Sequence, residues 1–151
     1  MNRVEVQAEG LPLPLWSGRL EAFALRVLEK LAVKNWDLSV LLCDEKTIEE
    51  LNARYRGRSE PTDVLSFELG ETFNSDGEQR FLPGDIVISL PELSKNAVYF
   101  NVSEDEELRR LVVHGILHLD GMDHSGNSAE EPMLFLQETI LSELDGERVL
   151  S

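Results

Sequence analysis

The stretch from Ser103 to Leu119 constrains this chain more than any other. Ser103-Glu-Asp-Glu106 is a capping box ahead of an apolar run and predicts a helix to about Leu119. From Leu111 onward that helix is apolar nearly all round, through Val112, Val113, Ile116, Leu117 and Leu119. It must therefore be the central, buried helix. Yet it carries His114 and His118, which at a spacing of four share one helical face. Gly121 can end the helix in the left-handed region, and the chain can then turn back and bring His124 towards the other two. The chain has three histidines, all within this one stretch. Burying two unpaired imidazoles on an apolar helix costs stability without return. Three imidazoles converging on one point form a metal site with its fourth position open, the arrangement of catalytic rather than structural zinc. The expectation is a metal-dependent hydrolase that holds one divalent ion, zinc first, on His114, His118 and His124.

The spacing H-x-x-x-H-x-x-G-x-x-H is also that of the long metzincin protease pattern. Those proteases place a glutamate, their general base, directly after the first histidine. Here that position is Gly115, which speaks against a peptidase. Of the nearby carboxylates, Asp123 is expected to hold a histidine N–H and fix its tautomer, and Asp120 lies near the helix end.

The chain as a whole is ordinary for a globular protein. Its 151 residues, 42% hydrophobic and 28% charged, predict one domain over residues 1–151. The N-terminus shows no secretory pattern, and no segment approaches the roughly 20 apolar residues that span a bilayer. Cys43 is the one cysteine, read as a small core hydrophobe. A cytoplasmic protein fits these features. The net charge of −15, from 29 acidic and 14 basic residues, argues against a general nucleic-acid coating protein but leaves room for a small positive active site.

Period and punctuation predict strands over 3–8, 36–43, 62–67 and 84–89. Helices are predicted over about 15–33, from an Asp44 N-cap through Tyr55, from Pro91 to about Phe100, and over 129–145. Residues 70–83 carry the turn signals Gly70, Asn74-Ser75 and Asp76-Gly77 and read as a mobile surface loop or hairpin tip. Met133 and Phe135 are expected in the core. These elements predict an α+β fold, a mixed sheet of about four strands covered by helices, around a central helix carrying the two histidines.

Three blocks carry a resemblance. They are Leu51-Asn-Ala-Arg-Tyr-Arg56-Gly-Arg-Ser-Glu-Pro-Thr-Asp-Val-Leu-Ser-Phe67, then Gly84-Asp-Ile86, then the histidine motif. In this order they resemble the YbeY family of bacterial rRNA maturation factors. The resemblance implies a metal-dependent endoribonuclease acting on single-stranded RNA, in 16S rRNA 3′-end maturation and late ribosome assembly, with zinc as the metal. It carries metal ligation to His114, His118 and His124, and a functional arginine to Arg56. Ser59 stands where many relatives have an acidic residue. Implied partners are rRNA and the ribosome or its proteins, with no membrane and no DNA.

The chemistry agrees with that implication. A dication held by neutral imidazoles keeps its charge and can lower the pKa of bound water to about 7 or polarise a phosphoryl oxygen. An arginine adds a planar, permanently charged fork for the non-bridging oxygens. Arg54 and Arg58 flank Arg56, making this loop the best basic patch, with Arg109 and Arg110 a second, weaker one. On spacing alone Arg56 reads as a solvated loop arginine or a partner of Glu60, and the resemblance reverses that reading. Two rivals stand beside the nuclease: a metal-stabilised ribosome assembly factor without catalysis, and a metallopeptidase.

Overall fold

A computed structural model of the chain describes residues 1–57, 62–122 and 131–150. Among the described residues the elements run β1 (Arg3–Glu9), α1 (Ser17–Lys30), β2 (Asp37–Cys43), α2 (Glu45–Arg56), β3 (Val64–Ser75), β4 (Glu78–Ser89), α3 (Leu90–Phe100), α4 (Glu104–Leu119) and α5 (Pro132–Glu143). The four strands form one sheet in the order β1-β2-β4-β3. β1, β2 and β4 run parallel to one another, and β3 runs antiparallel to β4 at the edge. The α+β class and the mixed four-stranded sheet are as the sequence predicts.

Local chemistry sets the element boundaries. Asp44 caps α2, accepting from the Thr47 N–H at 2.9 Å, and Gly57 closes that helix at φ 69°. Ser89 caps α3 and Ser103 caps α4, accepting from the N–H groups of Glu92 and Glu106 at 3.3 and 3.0 Å. Each oxygen satisfies a donor that the first helical turn leaves without a partner. Of the two readings of residues 70–83, surface loop or hairpin tip, the structure shows the hairpin, longer than a tip. These residues are its arms, with β3 and β4 continuing to a two-residue turn at Asp76-Gly77. Both turn residues have positive φ, 52° and 76°, which matches the twist of the flanking strands. The polar composition that suggested a loop reflects an edge hairpin exposed on most positions.

Alternation along the strands divides the sheet into two faces. Leu65, Val87 and Cys43 face α2 and pack with Ile48. Cys43 is fully buried there, and burial raises its thiol pKa to about 12, so it behaves as the expected small hydrophobe. The other face carries the main core. Cross-strand register aligns Val6, Val40, Ile86 and Ser66 in one row. The first three are buried beneath α1 and α4, and the row reaches the edge strand at a polar residue.

Helix α4 packs against α1, α3 and α5 as well as β3 and β4, so it is the central helix its composition demands. Gly115 is what lets it sit so close to the sheet. A Cβ at that position would lie 2.9 Å from the Ile86 side chain. Met133 is buried, but Phe135 is 66% exposed, contrary to expectation, because it falls on the outer face of α5. Arg109 also departs from its reading as part of a second basic patch. It is buried and its Nε donates to Asp105 at 2.8 Å. No described helix is long and apolar enough to cross a membrane.

Candidate active site

The face of α4 that carries His114 and His118 opens into a cleft of about 500 Å³, lined also by Arg56, Asp63, Val64, Ser66 and Glu68. Three elements build it. Val64, Ser66 and Glu68 alternate along edge strand β3 and so share one face. Arg56 closes α2 and reaches over the sheet edge, where its Nη2 donates to the Ser66 carbonyl at 3.4 Å. Asp63, one residue before β3, accepts from Asn96 Nδ2 of α3 at 2.8 Å.

The two histidine rings lie 4.6 Å apart between centroids, nearly edge to face, with their Nε2 atoms 3.0 Å from each other. Two nitrogens on one tetrahedral zinc stand roughly 3.3 Å apart, given Zn–N distances of about 2.0–2.1 Å. The pair thus fits two ligands of a single ion with little adjustment. His114 Nδ1 is held by Gln137 Oε1 of α5 at 2.6 Å, the hydrogen bond that fixes a metal-ligating imidazole from behind. His124 and Asp123 lie outside the described residues, as do Arg58, Ser59 and Glu60. Among the described residues no third histidine, cysteine or carboxylate completes a cluster with His114 and His118.

Gly115 is turned away from this cleft, into the core at Ile86. A glutamate at 115 would have to enter that packed layer instead of reaching a substrate. The metzincin-like acid–base position is therefore closed by geometry as well as by composition. The second basic patch dissolves too. Arg109 is paired with Asp105, while Arg110 is paired with Glu106 and, through two prongs of 2.9 Å, with Glu138. Arg54 and Arg56 are exposed. The guanidinium of Arg54 stands 5.9 Å from the ring centre of Tyr55, whose edge meets Phe67.

Asp63, Ser66, Glu68 and Gln137 are site residues that sequence reasoning passed over. For Ser66 the signal was present in the alternation of the Thr62–Phe67 block, and Glu68 lies one residue beyond it. For Gln137 there was none, since nothing in α5 announces which of its residues faces α4.

Comparison with known proteins agrees with the fold and the order of the motifs. The family model described as "Endoribonuclease YbeY" matches residues 14–145. A Treponema denticola protein of that name is 59% identical over 124 residues, covering 82% of this chain and 80% of its own. A Treponema pallidum protein of the same name is 46% identical over 144 residues, covering 95% and 90%. A Thermotoga maritima protein of known solution structure superposes with a TM-score of 0.64 at 32% identity, covering 95% of this chain and 90% of its own. Motif order, fold and family model coincide over most of the sequence, and the chain belongs to the YbeY family.

Proposed function

We propose that this chain is a metal-dependent endoribonuclease that cleaves single-stranded RNA in the cytoplasm, in the maturation of the 16S rRNA 3′ end and late ribosome assembly. The observation that carries the reading is the cleft itself. It gathers two imidazoles at metal-ligand spacing and an exposed arginine in one wall-to-wall space. The names of the relatives add the substrate class. His114, His118 and His124 would hold the ion, most simply zinc. A divalent ion there supplies two positive charges and a Lewis acid for a phosphoryl oxygen.

The chain's own residues do the rest. Arg56 keeps one N–H on the Ser66 carbonyl, which steadies the guanidinium while its remaining donors can bind non-bridging phosphate oxygens. Asp63 and Glu68 line the same cleft with carboxylates, one tethered by Asn96. Either can accept a proton from an attacking hydroxyl, the task that position 115 does not perform. Counting Arg56 as +1 and Asp63 and Glu68 as −1 each, the lining alone sums to −1. A dication turns that to +1, so a phosphodiester is attracted only to the loaded site.

The deciding experiment is cleavage of a single-stranded RNA by wild type, His114→Ala and Arg56→Ala, with metal content and thermal unfolding measured on each. Both variants are expected to stay folded and lose cleavage, His114→Ala with loss of the ion and Arg56→Ala without it. Full nuclease activity in a folded, metal-free His114→Ala protein would sink the proposal. The net charge of −15 favours a second reading, an assembly factor that binds basic ribosomal proteins and holds its metal for stability. Support of ribosome maturation by cleavage-dead Arg56→Ala would favour that reading.

A further inference from the structure

The hydrogen bonds behind His114 have only one possible polarity. Gln137 is buried in α5, and its Nε2 donates to Glu138 Oε2 at 3.0 Å. That carboxylate is gripped by Arg110, Nε to Oε2 and Nη2 to Oε1, both at 2.9 Å. An ionised carboxylate only accepts, so the Gln137 NH2 must face Glu138 and its Oε1 must face His114. A carbonyl oxygen also only accepts, so in the 2.6 Å contact His114 Nδ1 must donate. A neutral imidazole has one N–H. His114 Nε2, the atom 3.0 Å from His118 Nε2, is then the nitrogen with the lone pair.

The geometry points to Gln137 as a positioning residue: oriented by Glu138 and Arg110, it locks His114 in the Nδ1–H tautomer and presents the Nε2 lone pair to an ion in the cleft. The ion in this statement rests on the metal-site reading above; the tautomer does not. A neutral amide suits the role because the cleft already carries two carboxylates, and a third behind the ligand would add negative charge beside a phosphate substrate. The relay also links α4 to α5, since Arg110 and His114 sit one turn apart on the one helix and Gln137 and Glu138 are adjacent on the other.

The test reads the tautomer in metal-free protein, through two-bond proton–nitrogen correlations of the histidine rings at a pH where they are neutral. In the wild type His114 should be protonated at Nδ1. Gln137→Leu, similar in volume but without an acceptor, should shift it towards Nε2–H and weaken cobalt(II) binding by about 10- to 100-fold. Gln137→Glu still accepts at that position and should restore the Nδ1–H form. Glu138→Ala, at a half-exposed position that does not endanger folding, should move both readouts in the same direction by less. A wild-type His114 protonated at Nε2, or Gln137→Leu with unchanged tautomer and unchanged cobalt affinity, would overturn the inference. The expected tautomer in a wild type that binds no cobalt would uphold the lock and overturn the metal reading instead.

Discussion

At the scale of single residues, the proposed function turns on a few side chains whose expected roles follow from their partners. Arg56 is exposed and, among the described residues, makes one long hydrogen bond, so it carries little of the fold. Arg56→Ala should lower kcat/KM for RNA by about 10²- to 10³-fold, the usual loss when a donor to developing charge is removed. Its thermal midpoint should stay within experimental error of the wild type. Arg56→Lys keeps the charge but not the fork and should recover only part of the rate. Equal rates for Lys and Arg would mean that charge alone matters. His114 and His118 were legible in the sequence because a helical period of 3.6 fixes which residues share a face. Gln137 was not, because its importance lies in a contact between two helices distant in sequence.

At the scale of elements, two glycines decide how closely the site's scaffolds approach. Gly115 brings α4 onto β4 by leaving room for Ile86, so Gly115→Ala should destabilise by about 1–2 kcal/mol, overpacking outweighing the gain in helix propensity. Ile86→Val removes one of the crowded methyl groups. In a double-mutant cycle followed by urea unfolding, the pair should cost less than the sum of the single changes. Strict additivity would mean that α4 does not press on Ile86. Gly84 is under stronger constraint. Its φ is 141°, a Cβ there would lie 1.9 Å from the Phe67 carbonyl oxygen, and it pairs with Glu68 where the β3–β4 register shifts. Gly84→Ala should cost about 3 kcal/mol or more and disturb Ser66 and Glu68 in the cleft. Helix caps and strand periods made these elements readable in advance. The hairpin tip was legible as one of two alternatives, but the length of its arms was not, since they are polar on an exposed edge and imitate a loop.

At the scale of the whole molecule, charge is the governing quantity. The excess of acidic residues is spread over the surface, and a few carboxylates are drawn into the structure as latches. Asp105 is one. It is buried at the start of α4 and accepts from the N–H groups of Val149 and Leu150, each at 2.8 Å, as well as from Arg109. Burial pushes its pKa up, but those donors outweigh burial and hold it below the ordinary carboxylate range. A depressed carboxylate contributes stability that is present above the unfolded pKa of about 4 and lost as pH falls through the folded value. Asp105→Asn should therefore lose about 3 kcal/mol at neutral pH and show a shallower decline than wild type below about pH 4. Parallel declines in urea midpoints over that range would exclude Asp105 as the latch.

The same scale holds the central claim, that this acidic protein attracts and cuts RNA only through a metal gathered on its central helix. The direct measurement is the rate of single-stranded RNA cleavage by chelator-stripped wild-type protein during titration with zinc. The rate should begin near zero, rise in proportion to added ion and level off at about one equivalent per chain, with RNA binding strengthening in step. Undiminished cleavage by the stripped, folded protein would contradict the account.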